Sequence, residues 1–218
     1  MENVARGLLE RTNDFEGASP VVDDVEGMSS PRMCRLLNAL VAELPEGEAY
    51  LEIGSWKGLT LLSAARHNQG KKCIACDKFR FWGRYTGLGA SAELAFRKNV
   101  EHYRGECAEI EFHKMDSDEL FSRELVRDRV GVYFFDGDHS FEGTYDGIMK
   151  GAKLLADEAL VLVDDYNDRI IRGATLAALE DAGLEVTWSR RLEGDQSDHG
   201  FWNGLGVFHV RRASAQPN

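Results

Sequence analysis

The chain has 218 residues, 43% hydrophobic and 29% charged, enough for one ordinary domain with a buried core. Its formal net charge is −11 and its basic residues are dispersed, as in the short pairs Arg190–Arg191 and Arg211–Arg212, which argues against nucleic acid or an anionic membrane as partner. No apolar stretch approaches the roughly 20 residues that span a bilayer, and the opening MENVARGLLERTNDFEG lacks the apolar core of a secretion signal, so a cytoplasmic location is expected.

Residues 1–30 carry the weakest pattern and are read as an N-terminal segment of the same domain that can close as a lid. Ser30 and Pro31 then open a helix over Pro31–Leu44, the serine as N-cap and the proline where a missing N–H costs nothing. Ala49–Ile53, Lys72–Cys76, Ile110–His113, Val130–Phe135 and Ala159–Val163 read as strands. They are short, rich in Val, Ile, Tyr and Phe, and barely alternate, as strands covered on both faces should. Between them fall helices over Leu59–His67, Ser91–Tyr103, Ser117–Arg127, Phe141–Leu155 and Ile170–Ala182. Such β–α alternation predicts a mostly parallel sheet with helices on both faces. After Gly183 the rhythm changes: Leu184–Arg191 and Leu205–Arg211 are strand-like, joined by the polar stretch 193–204 without a helix. The expected architecture is therefore an α/β, Rossmann-like three-layer sandwich with a seven-stranded sheet ending in an antiparallel hairpin. Residues 31–212 form its one domain and 213–218 a tail. Cys34, Cys73, Cys76 and Cys107 read as reduced buried thiols, because the lone CxxC lies inside a strand and has no second pair to complete a zinc site.

The first strand runs into Glu52-Ile-Gly54-Ser55-Trp-Lys-Gly58-Leu-Thr60. Strand, glycine turn and helix let backbone approach a nucleotide closely. The spacing is GxxxG, not the GxGxxG that a dinucleotide pyrophosphate needs, and Glu52 would repel a pyrophosphate while suiting a cationic group. A plain glycine turn remains the alternative. Asp77 ends the second strand about 20 residues on, where a carboxylate accepts ribose hydroxyls. Asp116 and Ser117 end the third, positioned to flank an adenine. Together these polar strand ends point to an adenosine-bearing cofactor.

Strand four delivers Asp136-Gly137-Asp138-His139 and strand five Asp164-Asp165-Tyr166, at the same sheet edge on adjacent strands. Converging carboxylates repel unless a cation sits among them, and magnesium or calcium takes oxygen ligands. Alternatively some of these acids cap helices, as Asp138 can for the helix at Phe141.

DGDHSFEG, a helix, then LVLVDDY resembles the metal-dependent O-methyltransferases that modify sugars, grouped with macrolide- and aminocoumarin-sugar enzymes. It resembles catechol and caffeoyl-CoA O-methyltransferases more distantly. The likeness runs from about Glu26-Gly27-Met28 to Ile170, with LEIGSWKGLT in register, and is loose in the C-terminal third. It implies S-adenosylmethionine as cofactor, its contacts drawn from Gly27, Met28, Glu52, Gly54, Ser55, Gly58, Thr60, Asp77, Asp116, Ser117 and Asp138. It implies Mg²⁺ or another divalent ion on Asp136, Asp164 and Asp165, and His139, three residues beyond the first metal acid, as general base. The fifth-strand loop and the hairpin would shape an acceptor pocket from Tyr166, Asn167, His199, Trp202 and Asn203. Trp82 and Tyr85, in FRFWGRYTGLG, would either form a lid or anchor a surface loop.

The chemistry is coherent. A sugar hydroxyl holds its proton too tightly to attack at neutral pH; a divalent ion lowers the pKa of an oxygen ligand by several units. A histidine with an ordinary pKa near 6.5 can then take the proton. The leading expectation is a Mg²⁺-dependent O-methyltransferase acting on a carbohydrate hydroxyl of a small-molecule or oligosaccharide acceptor. A phenolic acceptor is the second, and a non-catalytic nucleotide- or metal-binding Rossmann protein the third. A redox hydroxylase is set aside, since no paired histidine and carboxylate triad is present. The N-terminal region offers a surface through which subunits could pair.

Overall fold

The computed structural model describes residues 1–10, 22, 24–80, 86–194 and 200–212. Helices α1 (Glu2–Glu10) and α2 (Pro31–Ala42) precede β1 (Glu48–Ile53), α3 (Leu59–Ala65), β2 (Lys72–Cys76), α4 (Thr86–Tyr103), β3 (Glu109–His113) and α5 (Ser117–Ser122). Next come β4 (Arg129–Phe135), α6 (Phe141–Gly151), a 3-10 turn (Ala152–Leu154), β5 (Leu155–Val163), α7 (Arg169–Asp181), β6 (Leu184–Leu192) and β7 (Leu205–Arg212). The sheet order is β3-β2-β1-β4-β5-β7-β6. β1 to β5 are parallel, and β7 enters antiparallel between β5 and β6. This is the Rossmann-like, mostly parallel seven-stranded sandwich that the alternation predicts.

Side-chain parity along the strands sorts the core into two layers. Tyr50, Val132, Phe134, Leu160 and Leu162 face α1, α2, α3 and α4, where Leu37, Leu61 and Phe96 meet them. Leu51, Ile53, Tyr133, Val161 and Val163 face α5, α6 and α7, against Leu120, Ile148, Ile171 and Leu179. Cys73 and Cys76 fall on opposite layers, so their side chains cannot share a metal, and all four cysteines are free and buried.

α1 buries Ala5, Leu8 and Leu9 at helical spacing, and Val22 and Val25 join the same cluster. The described part of residues 1–30 is thus built into the core. Ser30 caps α2 as expected, accepting from the Met33 N–H at 3.2 Å, and its hydroxyl donates to the Gly200 carbonyl at 2.5 Å. Three boundaries depart from the sequence pattern. α4 begins at Thr86 rather than Ser91. α5 stops at Ser122, followed by Glu124 in the left-handed region at φ 51°. β5 begins at Leu155, paired with Val130 across a bulge, because ladder pairing carries the strand through the polar Asp157 and Glu158. No described helix is long and apolar enough to cross a membrane.

Candidate active site

The parallel ladder ends in step. The Gly54 N–H donates to Cys76 O at 2.9 Å, Asp77 N–H to His113 O at 3.2 Å, Asp136 N–H to Ile53 O at 2.9 Å and Asp164 N–H to Phe135 O at 3.0 Å. Each residue that leaves a strand is therefore pinned to its neighbour, and four chemistry-bearing positions line one edge. β1 and β4 are adjacent although their crossovers diverge, β2 and β3 on one side and β5 on the other. Open α/β sheets bind ligands at such a switch point. Gly54, at φ 91°, sits there, and a β-carbon on it would stand 1.9 Å from the Asp136 carbonyl oxygen.

Asp77 organises the glycine turn. Its Oδ2 accepts from the N–H groups of Ser55 at 2.9 Å and Trp56 at 2.7 Å, and its Oδ1 from the Phe79 N–H at 2.6 Å. A carboxylate has about four acceptor positions, so capacity for one hydroxyl remains. Glu52, by contrast, is fully buried. It shares strand parity with Tyr50, whose hydroxyl donates to it at 2.6 Å, and the Thr60 hydroxyl donates at 3.1 Å. Burial raises its carboxyl to about 7. The structure therefore places Glu52 and Thr60 behind the turn, joining β1 to α3. Asp116 is the N-cap of α5, accepting from the Asp118 N–H at 3.1 Å and pairing with Lys78 at 3.1 Å, and Ser117 is the first residue of that helix. Gly27 lies against Leu59 at the start of α3, Met28 is exposed, and Glu26 pairs with Lys57 of the turn at 2.7 Å.

Asp138 does not cap α6; Ser140 does, accepting from the Gly143 N–H at 3.0 Å. The Asp138 carboxylate accepts from the Ser140 N–H at 2.9 Å, two residues earlier than a cap would act, and that bond holds its pKa below the usual range. The turn aims His139 at the acids. Its Nε2 is 3.3 Å from Asp136 Oδ1 and its Nδ1 is 3.0 Å from Asp165 Oδ2. These two partners push the imidazole up to about 10, so it stands between the carboxylates as their cation. Asp164 is raised well above the usual carboxylate range, first by burial and then by Asp136 and Asp165. Burial raises Asp136 as well, whereas the His139 hydrogen bond lowers Asp165.

His139 and Asp165 open into a cavity of about 400 Å³, walled also by Asn167, Asp168, Trp202 and Asn203. Asn203 Nδ2 donates to Asp165 Oδ1 at 2.8 Å, and the Asn167 N–H to Asn203 O at 2.9 Å, so β5 and the approach to β7 share the wall. Tyr166 is buried against Phe208 and faces the core rather than this space. A cavity of similar size at the opposite sheet edge, between Glu48 and Asp157, receives none of the strand-end residues. Strain follows the chemistry: Trp56, Phe79, Asp165 and Trp202 all hold positive φ values just beyond this edge.

The model of a methyltransferase domain family matches residues 51–166, more than half of the chain and the whole span from β1 to the fifth-strand acids. The chain belongs to this methyltransferase family. Among solved structures, the methyltransferase resembles an O-methyltransferase from Bacillus cereus solved with SAH, at TM-score 0.60 and 16% identity over 96% of this chain and 91% of that one. It also resembles a precorrin-6y C5,15-methyltransferase from Geobacter metallireducens, at TM-score 0.59 and 11% identity, covering 88% and 100%. A third is M. jannaschii TYW2 in complex with AdoMet, at TM-score 0.55 and 12% identity, covering 81% and 74%. No curated protein sequence matches the methyltransferase.

The methyltransferase thus brings Gly54, Asp77, Asp136, His139, Asp164 and Asp165 to one edge, with Asn167, Trp202 and Asn203 around the adjoining cavity. His199, Trp82 and Tyr85 lie outside the described residues. Sequence reasoning missed Asp168, the N-cap of α7, and Arg191, which donates to Asn167 Oδ1 at 3.2 Å. The aspartate just before a helical run was the available signal for the first; Arg191 carried none. No three described His, Cys, Asp or Glu side chains close on one point as a finished metal site. The donor set still fits a hard cation: three carboxylates on adjacent strand ends, two of them raised by burial and mutual repulsion.

Proposed function

We propose that this methyltransferase moves the methyl group of S-adenosylmethionine onto a carbohydrate hydroxyl, with Asp136, Asp164 and Asp165 holding Mg²⁺ or another divalent ion. The observation that carries the reading is the crowding of three carboxylates around His139, an arrangement costly to bury without positive charge. Two neighbours solved with SAH and AdoMet support the choice of methyl donor, and one described as an O-methyltransferase supports the acceptor atom.

The chain's own residues then have distinct tasks. The Gly54 turn and the remaining acceptor capacity of Asp77 hold the adenosine portion at the switch point. Asp136, Asp164 and Asp165 would hold a divalent ion, which would supply the positive charge that His139 otherwise supplies and would acidify the acceptor's hydroxyl. Asp165 accepts the Nδ1–H of His139, which leaves Nε2 on the Asp136 side to take the acceptor's proton. The freed oxygen attacks the methyl carbon, the carbon–sulfur bond breaks, and neutral SAH leaves. Alignment at close range supplies much of the rate. Methyl transfer to methyl glycosides should vanish in EDTA and return with Mg²⁺; full activity in metal-free protein would refute the reading.

A further inference from the structure

We propose that the indole N–H of Trp202 and the carboxamide N–H of Asn167 form a two-donor subsite that reads an oxygen lone pair on a neutral, oxygen-rich acceptor. The inference rests on the acceptor's entering beside His139, as the function above requires.

Three observations carry it. Trp202 lines the same cavity as His139 and Asp165, yet its Nε1 is buried and has no hydrogen-bond partner among the described residues. A buried N–H without an acceptor is expensive, and such a group in a ligand cavity is satisfied when the ligand arrives. Second, the carboxamides are already sorted. Arg191 occupies Asn167 Oδ1 at 3.2 Å, so Asn167 offers its NH₂ edge; Asn203 gives its NH₂ to Asp165 at 2.8 Å, so it offers its oxygen. The wall therefore presents donors from Asn167 and Trp202 and an acceptor from Asn203, the complement of hydroxyl and ether oxygens. Third, Trp202 is fixed in place. It holds φ 45°, between Phe201 and Gly204, whose backbone groups bond at 2.6 Å, while Gly204 O accepts from the Tyr166 N–H at 3.0 Å. Gly194 presses on the Trp202 carbonyl so closely that a β-carbon there would lie 1.6 Å away. A backbone held this firmly fixes where the indole leaves the chain and lowers the ordering cost of recognition.

Charge narrows the class of acceptor. Asp165 and Asp168 line the cavity, and no Lys or Arg is among its described lining residues. With His139 neutral as the base and the divalent ion held by the acids, a phosphate or carboxylate on the acceptor would meet Asp165 and Asp168 with no lining Lys or Arg to receive it, so the subsite suits a glycoside rather than a sugar phosphate.

The test uses methyl α-D-glucopyranoside, glucose 6-phosphate and catechol as probes, with wild type, Trp202→Phe and Trp202→His. Phe keeps the ring and loses the N–H; His keeps a donor. Trp202→Phe should raise KM for the glycoside about tenfold, the usual worth of one hydrogen bond, leave SAH affinity by calorimetry unchanged, and be partly rescued by Trp202→His. In ¹⁵N spectra the Trp202 indole proton, assigned by its loss in Trp202→Phe, should move on adding glycoside and stay still on adding SAH alone. A KM within twofold of wild type, or an indole signal that ignores the acceptor, overturns the proposal. Turnover of glucose 6-phosphate equal to that of the glycoside overturns the neutral-acceptor assignment. Turnover of catechol alone would sink the carbohydrate reading, while a tenfold Trp202→Phe effect on catechol would still uphold the donor pair.

Discussion

Gly54 lies against the backbone of Asp136, so near that any side chain would drive into the Asp136 carbonyl, 1.9 Å from an added β-carbon. The glycine turn proposed to receive the methyl donor and the loop that carries Asp136 are thus a single contact. Gly54→Ala must both leave the left-handed region and separate β1 from β4, at a cost of about 3 kcal/mol. Gly58, also left-handed at φ 93°, meets only side-chain atoms, Phe96 at 3.2 Å and Leu62 at 3.4 Å, so Gly58→Ala should cost about 1 kcal/mol. Urea denaturation of both variants checks the ranking, and SAH calorimetry should show the larger loss for Gly54→Ala.

Asp164 offers a test of opposite sign. Buried beside Asp136 and Asp165, its carboxyl resists ionisation. Asp164→Asn should therefore stabilise metal-free protein at pH 8 by about 1 kcal/mol while weakening Mg²⁺ binding. Thermal melts with and without Mg²⁺ read both effects; a variant less stable than wild type in EDTA would count against repulsion among the acids.

His139→Ala removes the proposed proton acceptor. On an aliphatic hydroxyl kcat should fall by about 10²–10⁴, the range for a lost general base. SAH affinity should hold, since His139 reaches only Asp136 and Asp165 in the described structure. Single-turnover methyl transfer separates this loss from product release.

Glu52 makes stability pH-dependent. Its folded pKa, about 7, lies above the ordinary 4.5, so the folded state holds a proton that the unfolded chain has released. The associated stability is full below about pH 4.5 and is lost as pH rises through 7. Wild type minus Glu52→Gln should therefore change by about 3 kcal/mol between pH 4.5 and pH 8, with wild type losing ground. Urea midpoints of the two proteins across that interval give the difference directly.

The alternation of strands and helices was legible because doubly covered strands read as unbroken apolar runs and their acids gather where those runs stop. The acid clusters at Asp136 and Asp164 were visible for the same reason. The glycine turn beside Glu52 suggests a place facing the cofactor, whereas its parity with Tyr50, two residues back, directs it into the core. Asp138 looked like a cap, yet Ser140 fits three residues before Gly143, and local spacing alone left both open. The orientation of Asn167 by Arg191 joins residues of β5's loop and β6, a long-range contact that no local pattern encodes. The bounds of α1 were not legible because its apolar face is short, Ala5, Leu8 and Leu9 with Met1 and Val4 beside them.

The antiparallel entry of β7 between β5 and β6 has an evolutionary meaning. It returns the chain to the acid-bearing edge after the glycine turn and all three acids have been laid down. Sequence between β6 and β7 can drift, lengthen or be exchanged without altering a ladder bond among β1, β2, β3 and β4. Of the proposed acceptor wall, Trp202 and Asn203 therefore stand on a stretch of chain separate from the strands that carry the acids, while Asn167 follows them directly.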